Sequence, residues 1–208
     1  LDFVTAQNHE DSVIWLNNGN GIFSSHPNSI SASVAQDVAL GDLDGDGDLD
    51  LVFANVSQTN SVFLNVGTGL FTNTAQTLGT LSDGSMNVVL GDVDGDGDLD
   101  AIFAGYYSAN KVFFNNGTGV FTDSNQTLGM AATRDVILVD VDSDGDLDMV
   151  ANNDMEANKI WINDGKGTFT DSGLSLGSTE FSYPVRAADF DGDGDLDVAA
   201  GNESAGQD

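Results

Sequence analysis

One acidic string of nine residues, Asp-x-Asp-x-Asp-Gly-Asp-Leu-Asp, occurs four times in this chain of 208 residues and constrains its fold more than any other feature. The copies are spaced by 50, 48 and 49 residues and begin at Asp42, Asp92, Asp140 and Asp189. A second string, Asn-x-Gly-x-Gly-x-Phe, is spaced by 48, 50 and 48 residues and begins at Asn17, Asn65, Asn115 and Asn163. Two independent strings in register indicate an internal repeat of about 49 residues, a period typical of solenoids and propellers.

Each repeat contains four short apolar runs that are rich in Val, Ile and Phe and are bounded by Gly, Asn and Asp. None of the runs continues as a helical stripe of apolar residues, so each predicts a short β-strand. We label the runs before and after the acidic string A and B. Run C precedes the Asn string, and run D begins at the Phe that ends it. In the second repeat they are Val38–Leu40, Leu51–Ala54, Val62–Leu64 and a run that begins at Phe71.

Four short antiparallel strands per repeat are typical of a propeller blade, and the glycine-rich turns between C and D are typical of hairpins. We therefore predict an all-β fold, a β-propeller of about four four-stranded antiparallel blades formed by a single domain over residues 1–208. The predicted repeats cover approximately 1–37, 38–87, 88–135, 136–184 and 185–208, with the first and last partial.

The predicted strand order is B-C-D, three full A-B-C-D sets and a final A-B, which gives 17 strands. Leu1 and Asp2 match Leu49 and Asp50, the last two residues of an acidic string. Three arrangements fit this order: a ring closed through a shared blade, a segment of a longer array, and half of a two-chain ring. Exposed strand edges favour pairing with another chain. The first residue is not Met, and we expect a mature product or an excerpt.

Acidic residues dominate the charge of the chain, with 34 Asp and Glu against 5 Lys and Arg and a formal net charge of −29. The four acidic strings contribute 20 of these 34 residues, five Asp in each. Five carboxylates within nine residues repel one another, and a bound cation makes such an arrangement favourable. Hard oxygen donors at this density favour Ca²⁺, which accepts irregular geometry, over the strictly octahedral Mg²⁺. We predict four calcium sites, one in each acidic loop.

The spacing of the acids separates these loops from an EF-hand, whose twelfth position is a bidentate Glu. The twelfth residue here is apolar, and the last acid falls at position 9. Glycine at position 6 permits the sharp turn and is Gly47, Gly97, Gly145 and Gly194. The predicted side-chain ligands, at positions 1, 3, 5 and 9, are Asp42, Asp44, Asp46, Asp50, Asp92, Asp94, Asp96, Asp100, Asp140, Asp142, Asp144, Asp148, Asp189, Asp191, Asp193 and Asp197. The predicted backbone carbonyl ligands, at position 7, are those of Asp48, Asp98, Asp146 and Asp195.

The acidic loop, followed by an apolar strand and then by Asn-x-Gly-x-Gly-x-Phe, resembles the FG-GAP/VCBS-type repeats over essentially the whole chain. The resemblance implies an integrin-α-like β-propeller with calcium in the A–B loops. Rings of that kind usually have about seven blades, whereas this chain supplies about four. Family members are mostly extracellular, in adhesion proteins, lectins and accessory domains of polysaccharide-acting enzymes, which implies an extracellular or cell-surface location.

Blade geometry places the A–B loops and C–D turns on one face, and the B–C and D–A connections on the opposite face. The second face, which we call the variable face, differs between repeats, as expected of loops that carry function. Tyr106 and Tyr107 are candidates for stacking on a sugar or contacting a protein, unless one of them packs on the neighbouring blade. Arg186 is a candidate for binding the carboxylate of a ligand or for an internal salt bridge. His9 is a candidate for contacting a ligand, unless it only forms the solvated tip of its loop. Trp15 and Trp161 are expected in the blade core.

The composition argues against several function classes. There is no cysteine and there are only two histidines, so thiol chemistry and an imidazole-rich metal site are excluded and no catalytic role is predicted. The net charge opposes nucleic-acid binding, and no apolar run is long enough for a membrane span. We expect an extracellular calcium-binding module for adhesion or recognition of a glycan or surface protein. The alternatives are a structural unit that assembles as a homo-oligomer or within a larger chain, and the non-catalytic scaffold of a polysaccharide-acting enzyme.

Overall fold

The computed structural model describes residues 2–28, 30–32, 34–67, 69–177 and 181–203, and for 181–183 and 202–203 it describes the backbone. Leu1 and the end of the fifth predicted repeat, 204–208, lie outside the described residues. The described chain is all-β, and none of its residues forms a helix that could cross a membrane. Its strands are β1 (Phe3–Thr5), β2 (Val13–Asn17), β3 (Phe23–Ser25), β4 (Ala35–Gly41), β5 (Asp50–Asn55), β6 (Ser61–Asn65), β7 (Phe71–Asn73), β8 (Ser85–Gly91), β9 (Asp100–Gly105), β10 (Lys111–Asn115), β11 (Phe121–Asp123), β12 (Ala132–Val139), β13 (Asp148–Asp154), β14 (Asn158–Asn163), β15 (Phe169–Leu176), β16 (Phe181–Ala188) and β17 (Asp197–Glu203).

The strands form five antiparallel sheets in chain order, which confirms the predicted succession of blades. Blade 1 contains β1–β3, blade 2 β4–β7, blade 3 β8–β11, blade 4 β12–β15 and blade 5 β16–β17. Blades 2, 3 and 4 are complete A-B-C-D sheets, blade 1 has B, C and D, and blade 5 has A and B. The 17 predicted strands are therefore present. In the described part of the chain no strand pairing joins blade 5 to blade 1.

The apolar cores lie between neighbouring blades, and blades 2, 3 and 4 each contribute side chains to a core on both of their faces. Strand B is the most buried element: every residue of β5, β9 and β13 is buried. One core joins Val52 and Val62 of blade 2 to Phe103 and Phe113 of blade 3, whose rings meet edge to face with centroids 5.7 Å apart. Equivalent clusters fill the other three blade interfaces. The continuous burial of strand B follows from this layering.

Strand A begins earlier than the apolar runs predicted, because a polar residue at its start bonds to the next blade. The Asp37 carboxylate accepts hydrogen bonds from the Asn87 side chain at 2.8 Å and from the Val88 N–H at 3.1 Å. Asn87 Oδ1 in turn accepts the N–H of the next A strand at 3.2 Å, and Asp135 Oδ2 repeats this at 2.8 Å. The A strands also contact one another in series. This ladder satisfies polar groups that would otherwise be costly inside a sheet.

Two glutamines that follow strand D join neighbouring blades through the C–D turn. Gln76 donates to the Gly119 carbonyl at 2.7 Å and accepts the Phe121 N–H at 2.8 Å. Gln126 does the same one repeat later, with Gly167 at 2.7 Å and Phe169 at 2.9 Å. Each glutamine amide therefore satisfies two backbone groups of the following blade.

Replacing Gln126 by alanine is expected to loosen the interface between blades 3 and 4. Gln126→Ala removes two hydrogen bonds and should lower the free energy of unfolding by about 1–3 kcal/mol. Gln7→Ala is the matched control, because that amide donates at 3.3 Å to Thr5 of its own segment and should cost less than about 0.5 kcal/mol. Urea titration measures both variants. Equal losses would contradict an inter-blade role for Gln126.

Candidate metal centres

The four acidic loops connect strands A and B and share one backbone conformation. We number their residues from 1 to 9, so that position 1 is Asp42, Asp92, Asp140 and Asp189. The glycine at position 6 has a positive φ of 91° to 100°, as predicted for the sharp turn. Position 4 is also left-handed, which the sequence did not reveal: three loops have glycine there, and the third has Ser143 with φ 64°. Two left-handed residues coil the loop around its own carboxylates.

The carboxylate at position 1 organises the turn. In the second loop Asp92 Oδ1 accepts the N–H of Gly95 at 2.8 Å, and Oδ2 accepts that of Gly97 at 3.0 Å. The other three loops contain the same pair of bonds, with distances between 2.6 and 3.1 Å. Each carboxylate oxygen has a second lone pair, so these bonds leave acceptor capacity for a cation.

The carboxylate at position 9 is buried in the first three loops, where it connects the two sequence strings, and Asp197 of the fourth loop is exposed. Asp100 is fully buried; its Oδ2 accepts the N–H of Val93 at 3.0 Å, and its Oδ1 accepts the N–H of Asn115 at 2.9 Å. Asp50 and Asp148 are equally buried and make the equivalent bonds. The first residue of each Asn string thus bonds to the last residue of the acidic loop, which explains why the two strings keep register.

Burial disfavours the charged form of Asp50 and Asp100. It raises the pKa of Asp100 to about 6, against the lowering effect of the two backbone N–H groups, and the carboxylates of Asp94 and Asp96 raise it further. Burial likewise raises the pKa of Asp50, and burial together with the Asp96 charge raises the pKa of Asp94. A nearby positive charge would offset both burial and mutual repulsion.

Each loop gathers three carboxylates whose oxygens lie within 4.8 Å of one another, an arrangement that could hold a metal ion. Positions 1 and 3 contribute in every loop, position 9 in three loops, and position 5 in the second loop. The sets are Asp42, Asp44 and Asp50; Asp92, Asp94 and Asp96; Asp140, Asp142 and Asp148; and Asp189, Asp191 and Asp197. The donors are all oxygens, so the sets fit a hard divalent cation.

The remaining acids of the loops have other contacts. At position 5, Asp46, Asp144 and Asp193 each accept the N–H of position 7 at 2.9 to 3.0 Å. At position 7, the side chain of Asp98 lies over the C–D turn, where a Cβ on Gly117 would be 2.5 Å from its Oδ2. That contact confirms that A–B loops and C–D turns lie on one face. The ligand roles assigned to positions 1, 3, 5, 7 and 9 all stay predictions.

On the variable face, Tyr106 contacts the next blade and Tyr107 is exposed. The Tyr106 hydroxyl donates to Asp154 Oδ2 at 3.0 Å, and this hydrogen bond raises the pKa of Tyr106. Arg134 forms a salt bridge with the same carboxylate at 2.9 Å and lies 5.3 Å from the centroid of the Tyr106 ring. The Tyr107 ring packs against Tyr106 edge to face and against Gly84, yet the residue remains 69% exposed.

Arg134 and Asp154 were not singled out from the sequence. Both residues contact Tyr106, which lies 48 residues before Asp154 in the sequence. No local sequence pattern predicts a contact over that separation. The one sequence feature that could have drawn attention to Arg134 is that the chain has only 5 Lys and Arg residues.

The other predicted site residues are dispersed. Arg186 forms a salt bridge with Asp135 at 3.2 Å, one of the two alternatives considered for it. His9 lies in an exposed turn with a φ of 89°. Trp161 is half-buried and packs against the core between blades 3 and 4, and half-buried Trp15 stacks on Phe3.

Comparison with known proteins places the sequence in a family. Matches to the FG-GAP-like repeat family cover residues 1–53, 42–103, 92–151 and 140–200. No match was found among curated proteins. The structure is similar to the crystal structure of the V. cholerae biofilm matrix protein Bap1, with a TM-score of 0.53 and 15% identity over 92% of this chain and 31% of that chain. It is also similar to a putative exo-β-1,3-galactanase from Bifidobacterium bifidum s17, with a TM-score of 0.49 and 15% identity over 78% of this chain and 61% of that one.

This chain therefore spans about a third of the Bap1 chain and under two thirds of the galactanase chain. At 15% identity the likeness to Bap1 shows the fold alone. The family matches overlap from residue 1 to residue 200. The first includes one acidic loop and the partial string at Asp2, and each of the other three includes two acidic loops. The chain belongs to the FG-GAP-like repeat family.

Proposed function

We propose that this chain is a calcium-binding β-propeller segment of an extracellular or cell-surface protein that recognises a glycan or a surface protein. In this proposal calcium is structural and the variable face carries recognition. The observation that carries it is the repeated geometry of the acidic loops, in which three carboxylates converge to within 4.8 Å in each of four copies.

Calcium fits these loops better than magnesium does. The loops offer carboxylates and backbone carbonyls from a coiled segment, and Ca²⁺ accepts 6–8 such oxygens in irregular geometry, whereas Mg²⁺ requires a near-ideal octahedron. The side chains at positions 1 and 3, with position 9 or 5, would hold the ion, and it would supply the positive charge that the buried carboxylate at position 9 needs.

A structural role for calcium follows from where the loops are anchored. The carboxylate at position 9 bonds both to its own loop and to the end of strand C, so an ion at the loop would stabilise the whole hairpin pair. Calcium at 100 times its Kd would stabilise the folded chain by about 2.7 kcal/mol for each site. Short strands of three to seven residues, such as β7 and β8, gain most from such support.

Two substitutions in the second loop separate ligation from surface charge. Asp92→Asn removes a carboxylate from the converging set, whereas Asp98→Asn removes one that lies over Gly117 outside it. We expect Asp92→Asn to reduce the stabilisation that calcium produces by about one site's share, about 2.7 kcal/mol at 100 times Kd, and Asp98→Asn to retain the full stabilisation.

Thermal melts in EDTA and in calcium measure this difference. The melts in EDTA show whether either variant is destabilised in the absence of metal, which keeps folding defects apart from lost ligation. An equal calcium-dependent rise in Tm for Asp92→Asn and the unchanged chain would contradict the assignment.

The recognition role rests on the contacts around Tyr107. Tyr106 contacts Asp154 and Arg134 of the next blade. Its ring packs edge to face against the ring of Tyr107, which is exposed to solvent. A fixed and exposed aromatic ring offers apolar contact area at low entropic cost, which suits stacking on a sugar or contact with a protein. It lies in a B–C connection, where the repeats differ most.

A glycan array probed in calcium tests recognition. We expect binding by the unchanged chain and a loss of about tenfold or more for Tyr107→Ala, equivalent to about 1.4 kcal/mol. Met130→Ala is the control, since Met130 is 79% exposed and is not part of the Tyr106–Tyr107 pair. Equal binding by Tyr107→Ala and the unchanged chain would contradict the assigned site. No bound glycan at all would leave a surface protein as the ligand class to be sought.

A structural assembly role is the second candidate, and the contacts between blades favour it. Neighbouring blades are joined by apolar cores and by side-chain hydrogen bonds, a construction that further repeats can extend. We assign no catalytic step to this chain, because the carboxylates that it brings together are bonded within the loops.

A further inference from the structure

The core between blades 3 and 4 lacks a phenyl ring that the preceding blades contain. The fourth residue of strand B is Phe53 in blade 2 and Phe103 in blade 3, whereas it is Ala151 in blade 4. The Phe103 ring is buried and meets the ring of Phe113 on strand C edge to face, with centroids 5.7 Å apart. Blade 4 has a methyl group at this place, so the space of one ring is filled by other groups or stays open.

Larger neighbours fill part of this space. Met149 stands where blade 3 has Ala101, and Trp161 stands where blade 3 has Phe113. A cleft of about 100 Å³ remains, and its wall includes Ala151 and Trp161. A closed apolar cavity of about 150 Å³ takes up benzene, so an open cleft of this volume has room for one aromatic ring.

The connection that leads into blade 4 gives this corner less cover than its counterpart in blade 3. It is two residues shorter, with 129–135 in place of 79–87. In the longer connection the buried carboxylate of Asp83 lies against Gly79, where a Cβ would be 2.5 Å from its Oδ2. In the shorter connection a Cβ on Gly129, the equivalent residue, would lie 3.5 Å from the Trp161 ring. The cleft opens beside Gly129.

The wall of the cleft contains a buried hydrogen-bond donor that is not used within the protein. Asn110 is 2% exposed, and its Oδ1 accepts the N–H of Gly105 at 2.9 Å. In the part of the chain that the structure describes, no group accepts a hydrogen bond from Asn110 Nδ2, and Asn110 lines the cleft. A buried amide donor without a partner is costly, so it favours a ligand with an acceptor oxygen.

The other polar groups of the wall have partners. Thr133 Oγ1 donates to Asn153 Oδ1 at 2.8 Å, and the Asn153 amide donates to a backbone carbonyl at 2.9 Å. On the solvent side, Lys159 pairs with Asp171 at 3.4 Å, and exposed Glu156 makes this side net negative. These charges disfavour an anionic ligand. The wall therefore suits a neutral ligand with one acceptor and an apolar body.

We propose that this cleft binds a small neutral aryl molecule that carries an acceptor oxygen. The ring of the ligand takes the place that the Phe103 ring fills in blade 3, where it packs against Ala151 and Trp161. Its oxygen accepts a hydrogen bond from Asn110 Nδ2. Two aromatic rings in contact attract each other beyond the effect of buried area, and the ligand gives the amide the partner that it lacks.

This cleft is separate from the sites assigned above. It lies between two complete blades, and its wall consists of residues outside the acidic loops and outside the Tyr106–Tyr107 pair. Aryl binding here is therefore independent of calcium uptake and of recognition at Tyr107.

NMR titration of the full chain with acetophenone and with toluene tests the site. Both compounds offer an aryl ring, and acetophenone adds an acceptor oxygen. The chain has two tryptophans, Trp15 and Trp161, and a Trp15→Phe variant assigns their indole N–H signals. We expect both compounds to shift the Trp161 signal to saturation and to leave the Trp15 signal in place.

Two substitutions distinguish the ring site from the donor. Ala151→Phe restores the ring that blade 3 contains and should weaken binding of both compounds by at least about tenfold. Asn110→Asp keeps an acceptor for the Gly105 N–H and removes the donor, so it should weaken acetophenone about fivefold relative to toluene. Leu81→Ala is the matched control, because Leu81 is exposed in the connection before blade 3 and should change neither affinity.

Thermal melts of each variant establish that it is folded. Ala151→Phe adds a ring beside Met149 and Trp161, which are larger than their counterparts in blade 3. A double variant, Met149→Ala with Ala151→Phe, returns strand B to the residues of blade 3 and keeps the Trp161 signal. It should weaken both compounds as strongly as Ala151→Phe does.

Three results would overturn the proposal. One is a Trp161 signal that neither compound shifts to saturation. Another is unchanged affinity for both compounds in the folded variants that carry Ala151→Phe. The third is an acetophenone-to-toluene affinity ratio that Asn110→Asp leaves unchanged.

Discussion

The buried carboxylate at position 9 of the first three acidic loops, Asp50, Asp100 and Asp148, is the constraint on which the rest of the structure depends. It fixes the loop to its own turn through the N–H of position 2 and fixes strands A and B to strand C through the first residue of the Asn string. A carboxylate that accepts two backbone N–H groups can be buried, yet burial still raises the pKa of Asp100 to about 6. A cation in the loop would complete the compensation, so the same few residues form both the blade and the proposed calcium site.

Between blades the chain uses side chains instead of strand pairing. Asp37, Asn87 and Asp135 each accept the N–H of the next A strand, while Gln76 and Gln126 each bind the next C–D turn. The extensive contacts between strands of different blades join neighbouring blades, so stability is shared between units of one repeat and the interfaces between them. An array of this kind can be extended by any further element that offers the same surfaces.

The sequence predicted the strands and loops because both strings repeat and each strand run is bounded by Gly, Asn or Asp. It did not predict where strand A begins, because Asp37 and Asn87 are poor strand formers whose place is decided by hydrogen bonds to the following blade. It also did not reveal the contacts of Tyr106 with Arg134 and Asp154, since those join residues of different blades. Local pattern is visible in one repeat, whereas contacts between repeats appear only in the fold.

The number of calcium ions bound by each chain tests the central claim most directly. Calorimetric titration of the chain after treatment with EDTA measures this number and the affinity together. We predict about four ions per chain, one for each of the four converging carboxylate sets, with binding that displaces protons as the pH is lowered toward the raised pKa of Asp100. Absence of calcium uptake by the folded chain would contradict the account.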